Sequence, residues 1–166
     1  MPVIGGNALN HGVAYDGMVA DGELYNGVSK LNKGTASIPF GAGVVTDGDD
    51  GAKLPAAGDT AAKFIGIVKY ELNRAQTYLT TDTHGAPAKR DMTVLTVGSV
   101  WVTPNVAVVK DQPVYLIVGD GTGTAQGKFS NVAGAAGTLA VLVPNAKWVS
   151  TAGAGQRAKI SLNIGG

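Results

Sequence analysis

Glycine recurs along this chain at intervals too short for a helix of ordinary length. The 166 residues include 25 glycines, and clusters at 119–123, 134–137 and 153–155 are spaced among apolar runs. Each glycine in a helix interior costs about 1 kcal/mol relative to alanine, so this spacing disfavours helices. Only two residues are glutamate, Glu23 and Glu71. We therefore expect short strands joined by turns.

The runs between the glycines are rich in Val, Ile, Thr and aromatic residues, which favour pleated strands. We predict strands at 42–46, 64–68, 92–97, 99–103, 106–109, 113–118, 138–143 and 158–162. Short strands separated by turn-forming clusters are typical of a sandwich or a barrel. The polar stretch 69–77 has no apolar stripe, so we predict a loop or one turn there. The predicted fold is all-β, with a small β-sandwich or β-barrel core of jelly-roll or β-tulip type.

The first 40 residues differ in character from the remainder. Glycine and asparagine recur every few residues, yet large apolar side chains lie between them: Tyr15, Met18, Leu24, Tyr25, Val28 and Leu31. A disordered tail would contain fewer such side chains. We predict an extended N-terminal arm over 1–40, which becomes ordered against a partner, and a β-rich core over 41–166. The alternative is an arm folded back on its own domain.

The composition argues for a protein surface that is covered by partners. Charged residues make up 15% of the chain and the net charge is +1, whereas an average domain has about 25% charged residues. No basic stripe is present, so we expect no nucleic-acid partner. No apolar run approaches the roughly 20 residues of a membrane span, and the first residues do not form a signal peptide. We therefore expect synthesis in a cytoplasm and no membrane partner.

No group of residues predicts a catalytic centre or a metal site. The chain has no cysteine, and its histidines, His11 and His84, lie in glycine-rich loops without a second ligand at suitable spacing. The acidic cluster 47–51 weakly resembles a calcium loop, but Gly58 occupies the position of the bidentate acid. We therefore expect no enzyme activity and no metal.

The glycine-rich loop 119–129 partly resembles a phosphate-binding loop. Thr122 stands where that motif requires glycine, and Phe129 stands where it requires serine or threonine. A hairpin turn is the better interpretation, so we expect no nucleotide cofactor. The large aromatic side chains Trp101, Tyr115 and Trp148 are expected to pack in the core or to anchor an interface.

The order of short motifs along the chain resembles that of the structural cement proteins on the heads of tailed bacteriophages. The motifs are 15–21, 28–29, Gly34, 38–41, 44–45, 64–67, 98–102, 113–115, 146–155 and 158–162. Together they cover nearly the whole chain. The polar loop 69–88 and the dipeptide 111–112, where we would expect a glycine, depart from the pattern.

This resemblance implies a structural virion protein without catalytic residues. Such a protein binds the outer surface of the expanded capsid, bridges neighbouring capsomers and resists the pressure of packaged DNA. The implied partners are the major capsid protein and further copies of the chain, with trimers favoured and dimers second. The implied contacts in the arm are Tyr15, Met18, Asp21, Tyr25, Ile38, Pro39 and Phe40. The alternatives are a tail or fibre module and a carbohydrate-binding β-sandwich.

Overall fold

The computed structural model describes residues 14–20, 24–71, 85–119, 123–134 and 139–163. The strands in these ranges are β1 (Asn26–Asn32), β2 (Ile38–Pro39), β3 (Gly43–Asp47), β4 (Gly51–Lys53), β5 (Phe64–Val68), β6 (Gly85–Ala86), β7 (Asp91–Val102), β8 (Pro113–Gly119), β9 (Phe129–Ser130), β10 (Leu139–Trp148) and β11 (Ala158–Asn163). One short 3-10 helix, Ala61–Lys63, precedes β5. The all-β prediction is confirmed.

Five of the strands close into a small barrel. Hydrogen bonding runs from β1 through β4, β3 and β5 to β7, and β7 pairs again with β1. The β1–β4 pairing is parallel, and the other pairings of the ring are antiparallel. A closed ring of strands has no unpaired edge. The smaller of two apolar clusters, which includes Phe40, Val44 and Met92, belongs to this barrel.

The same sheet continues beyond the barrel from the C-terminal half of β7. The order there is β7, β11, β10, β8 and β9, and each pairing is antiparallel. This part contributes Phe129, Trp148 and Ile160 to the larger apolar cluster, which also contains Val45 and Ile67 from the barrel strands. The barrel and the rest of the sheet therefore share strand β7, and are not joined by a linker alone.

Strands β3 and β5 are buried on both faces. Val44 and Val68 belong to the smaller cluster, whereas their chain neighbours Val45 and Ile67 belong to the larger one. Successive side chains of a strand point to opposite faces, so one strand can serve two cores. This arrangement explains why 42–46 and 64–68 are nearly continuous apolar runs.

Strand β7 is a single strand where the sequence predicted two. It runs through Gly98, whose φ is +118°. A Cβ atom on Gly98 would lie 2.8 Å from the Cβ of Tyr25. The glycine therefore permits a close approach of another segment within the strand, and it does not end the strand.

The predicted strands differ from the observed ones in further ways. The predicted strand 106–109 is wrong, because the chain bends there and only Val108 forms an isolated bridge, with Ala152. Strand β10 continues past the predicted end at residue 143 to Trp148. Strand β1 and the short strands β2, β4, β6 and β9 were not predicted. Of the predicted loop 69–77, only the first three residues are described, and they are irregular.

Asn32 joins β1 to the segment before β7 through a fully buried side chain. Its Nδ2 lies 3.0 Å from the carbonyl oxygen of Ala36, 3.1 Å from that of Ala86 and 3.2 Å from that of Pro87. Its Oδ1 accepts a hydrogen bond from the backbone N–H of Gly34 at 2.9 Å. A buried polar group is tolerated when it is satisfied in this way.

Replacing Asn32 with aspartate is expected to lower the free energy of unfolding by about 2–4 kcal/mol, since a carboxylate oxygen would face three carbonyl oxygens. Urea denaturation followed by circular dichroism measures the change. Asn131, whose half-buried Nδ2 donates to Ala107 O and Gln112 Oε1, is the matched control. An equal loss in Asn131→Asp would contradict the special role of Asn32.

Candidate binding surface

Residues 14–20, here called the N-terminal segment, lie along one edge of β7. The backbone N–H of Gly17 donates to Trp101 O at 2.7 Å, and the N–H of Trp101 donates to Met18 O at 2.9 Å. Strand β11 pairs with the same stretch of β7, with Lys159 opposite Trp101. A strand has two hydrogen-bonding edges, so the N-terminal segment and β11 occupy opposite ones.

Two glycines allow the N-terminal segment to approach the barrel closely. Gly17 and Gly41 have φ values of +83° and +79°. A Cβ atom on Gly17 would lie 2.6 Å from Val68 O, and one on Gly41 would lie 2.7 Å from the Cβ of Asp16. The backbone N–H of Tyr70 donates to Gly17 O at 2.9 Å. Glycine at both positions therefore lets three backbone segments meet.

Polar side chains also hold the N-terminal segment in place. The Nε of Arg157 lies 3.0 Å from Oδ1 of Asp16, across 141 residues of sequence. The hydroxyl of Thr103 lies 2.9 Å from both carboxylate oxygens of Asp16. These contacts join the N-terminal segment to the residue that follows β7 and to the residue that precedes β11. These contacts hold the segment in a defined position.

The large side chains beside these polar contacts are mostly apolar or aromatic. Met18 is 37% exposed, Trp101 is half-buried, and the Nζ of Lys159 lies 5.3 Å from the centroid of the Trp101 ring. Tyr15 is 57% exposed, and its ring stacks on Tyr70 with centroids 5.2 Å apart. Large side chains therefore face solvent from a rigid backbone.

Tyr25 lies immediately before β1, and its Cβ is close to Gly98 of β7. It is 51% exposed, and the Nζ of Lys69 lies 5.4 Å from the centroid of its ring. Lys69 and Tyr70 are consecutive, so adjacent residues contact Tyr25 and Tyr15. We call the surface formed by Tyr15, Met18, Tyr25 and Trp101 the N-terminal face.

The other predicted contact residues of the arm occupy different positions. Ile38 is 2% exposed and Phe40 is 9% exposed, and both belong to the smaller core cluster. Pro39 pairs with Gly85 between β2 and β6. Asp21 lies outside the described residues. Within the predicted arm, β1 and β2 pair with other strands of the same chain.

The predicted aromatic anchors differ in burial. Trp148 is completely buried in the larger cluster, whereas Trp101 and Tyr115 are half-buried. Tyr115 is opposite Leu142 of β10, and Leu142 is 50% exposed. Trp148 is therefore a core residue, and the other two reach the surface.

The acidic turn at 47–51 lies among lysines. The Nζ of Lys30 donates to Asp49 O at 2.6 Å, and the Nζ of Lys53 lies 3.9 Å from Asp47 Oδ1. Cationic side chains in these positions oppose a bound cation. In the described ranges no group of three or more histidine, aspartate or glutamate residues could hold a metal ion.

His11 and His84 lie outside the described residues, as do residues 120–122 of the glycine-rich loop. No helix among the residues that the structure describes is long and apolar enough to cross a membrane.

Asp59 is the buried carboxylate of the loop before β5. Hydrogen bonds from the Nζ of Lys63 at 2.8 Å and from the N–H of Ala56 at 2.9 Å hold the pKa of Asp59 below its ordinary value. The carboxylate is therefore kept charged and fixes the loop. Its partners are local, which indicates a structural role.

Comparisons with known proteins identify the family and the fold of this chain. Residues 7–163 match the family model described as "Structural cement protein (E217 gp24/Pam3 gp6)". A chain of the solved structure "The capsid of Myoviridae Phage XM1" has a similar fold, with a TM-score of 0.70 and 23% sequence identity, over 95% of this chain and 96% of that one. No curated protein matches the sequence.

Proposed function

The chain belongs to the structural cement protein family of phages, and from this premise we propose that it binds the outer surface of the expanded capsid through its N-terminal face. A structural cement protein is a capsid-associated component of the virion and not an enzyme. The proposed partner is the major capsid protein. The proposed consequence is that neighbouring capsomers are bridged and the head resists the pressure of packaged DNA.

The observation that carries the proposal is the exposure of large side chains on a fixed backbone. Tyr15 is 57% exposed, while backbone hydrogen bonds and the Asp16–Arg157 contact hold the N-terminal segment in place. Tyr25, close to Gly98 of β7, is 51% exposed. Aromatic and methionine side chains are enriched in protein interfaces, and little ordering entropy is lost when their backbone is already fixed.

Bridging requires contacts to more than one capsomer. Residues 1–13 precede the N-terminal face and contain no charged side chain. A chain of that length spans at most about 45 Å. We propose that these residues extend the contact to a neighbouring subunit, so that many weak contacts on a symmetric lattice add as avidity. The family comparison supports this cement role and gives no support to a tail module or a carbohydrate-binding sandwich.

Co-sedimentation with purified phage shells tests the binding proposal. The protein should pellet in a fixed ratio to the coat protein with expanded shells, and it should remain in the supernatant with unexpanded ones. Binding to neither shell would contradict the proposal. Binding to phage tails alone would assign the protein to the tail.

The double substitution Tyr15→Ser with Met18→Asp is expected to weaken shell binding at least tenfold, on the order of the loss at an interface hot spot. Both side chains are partly exposed, so thermal unfolding should change little. The control is Val109→Asp, which places the same charge on a side chain that is 54% exposed elsewhere. Equal binding by the two variants would exclude the N-terminal face as the contact.

A further inference from the structure

Asn26 and Gly27 form the one Asn-Gly dipeptide of the sequence, and they open strand β1. Both residues are exposed. The pairing of β1 with β7 shifts in register between them, and the hydroxyl of Thr96 lies 3.4 Å from the backbone oxygen of Asn26. The side chain of Asn26 therefore meets solvent at the irregular end of a strand, where local opening costs little free energy.

The backbone nitrogen of Gly27 is not used in the pairing with β7. Successive residues of a strand direct their N–H groups to opposite edges. The N–H of Asn32 donates to Arg90 O, on the side of β7, whereas the N–H of Leu31 donates to Asp50 O, on the side of β4. The register between Gly27 and Leu31 is regular, so Gly27 directs its N–H to the same side as Leu31. The nitrogen can therefore react without the loss of a hydrogen bond to β7.

We propose that Asn26 is a site of spontaneous deamidation, a covalent modification that the short, chemically labile asparagine side chain undergoes with its own backbone. The nitrogen of Gly27 attacks Cγ of Asn26. A C–N bond forms and closes a succinimide ring, and the side-chain nitrogen leaves as ammonia with the proton from Gly27. Water then opens the ring: cleavage at Cγ gives aspartate, and cleavage at the backbone carbonyl carbon gives isoaspartate. Water is the only co-reactant.

The glycine after Asn26 makes the ring closure possible. Extended backbone does not itself bring the nitrogen of the next residue onto Cγ, so the peptide must rotate first. Glycine permits this rotation because it has no Cβ. Every other asparagine of the sequence is followed by a residue with a side chain. Asn26 is therefore the asparagine that should react first.

Asp16 and Gly17 show how the fold suppresses the same ring closure at another position. An aspartate followed by glycine can form the same succinimide with loss of water. Here the carboxylate of Asp16 accepts hydrogen bonds from Thr103 and Arg157, and the N–H of Gly17 donates to Trp101 O at 2.7 Å. Both reacting groups are therefore held by other partners. The exposed dipeptide 26–27 lacks these constraints in the described structure.

The modification changes the surface beside Tyr25. Either product carries a new carboxylate next to that ring, which the Nζ of Lys69 contacts from 5.4 Å, and the net charge of the chain falls from +1 to zero. Isoaspartate also adds a carbon to the backbone between Asn26 and Gly27, where the pairing already shifts in register. Strand β1 can therefore keep its pairing beyond Gly27, and the modified chain should remain folded.

Mass spectrometry of the free protein after storage at mildly alkaline pH tests the inference, and no phage shell is needed. The tryptic peptide 1–30 contains Asn7, Asn10 and Asn26, so its fragmentation compares the three asparagines within one molecule. Conversion at Asn26 should exceed that at either of the others by at least about tenfold, since only Asn26 precedes glycine. The rate should rise with pH, because the attack requires the loss of a proton from the nitrogen of Gly27.

Two variants serve as matched controls. Asn26→Gln keeps an exposed amide, but its longer side chain should lower the conversion at residue 26 at least about tenfold. Gly27→Ala should lower it by a similar factor; the added Cβ would lie 3.0 Å from Cγ2 of Thr93, a side chain that can rotate. An Asn26 that stays unconverted while a synthetic peptide of residues 24–29 is converted would overturn the inference. Faster conversion at Asn10, or undiminished conversion in Gly27→Ala, would overturn it as well.

Discussion

Replacing Gly66 with alanine is expected to lower the free energy of unfolding by about 3–5 kcal/mol, from combined steric clash and backbone strain. Gly66 lies in β5, between β3 and β7, and its φ is +147°. A Cβ atom there would lie 2.1 Å from Leu95 O and 2.8 Å from Cγ1 of Val94. The backbone oxygen cannot rotate away, so β5 would have to separate from β7 and disturb both cores.

The substitution Gly58→Ala provides the matched control. Gly58 also has a positive φ, +91°, but a Cβ atom on it would have nothing within 4 Å. Its cost should therefore be the backbone strain alone, about 1 kcal/mol. Urea denaturation of both variants separates clash from strain. Similar midpoints for the two variants would show that β5 and β7 are less closely packed than described.

Replacing Trp148 with alanine is expected to cost about 3–5 kcal/mol of unfolding free energy, because it leaves a large cavity in the larger core. Trp148 is fully buried. Its backbone N–H donates to Gln112 O at 3.0 Å, and its carbonyl accepts from the N–H of Asp111 at 2.7 Å. These two backbone hydrogen bonds can persist in the variant, so the loss reports the side chain.

Trp148→Phe should cost less than half as much. The indole Nε1 of Trp148 is buried without a hydrogen-bond partner among the described residues, so phenylalanine removes a desolvated N–H as well as volume. Trp101→Ala is the second comparison, and it should cost less than Trp148→Ala because Trp101 is half-buried. A larger loss of unfolding free energy in Trp101→Ala than in Trp148→Ala would contradict the assignment of Trp148 to the core and Trp101 to the surface.

The sequence predicted most of the strands because their apolar runs are short and bounded by glycines. It predicted β3 and β5 as nearly continuous apolar runs, and these strands are buried on both faces. It missed β1, since the sequence NGVSKLN is polar and its first four residues are exposed. It also predicted two strands where β7 is one, with the division at Gly98. In the sequence, a glycine that makes room for a neighbouring side chain, here Tyr25, looks the same as a glycine that ends a strand.

The candidate binding surface was only partly visible in the sequence. The exposed residues Tyr15, Met18 and Tyr25 were recognised as unusual for a tail. Their position on β7 depends on long-range contacts such as Asp16 with Arg157, which no local pattern encodes. The burial of Asn32 was equally hidden, because an asparagine followed by Lys33 and Gly34 has the composition of an exposed turn.

The order in which the ribosome releases the strands has consequences for folding. Every strand of the closed ring is complete once Val102 has been synthesised, whereas the larger core needs β11, which begins at Ala158. Until β11 has been synthesised, the C-terminal half of β7 can pair only with the N-terminal segment, and Asp16 lacks its partner Arg157. The larger core therefore closes only over contacts that are distant in sequence, such as those between β7 and β11, and contacts of this kind slow folding.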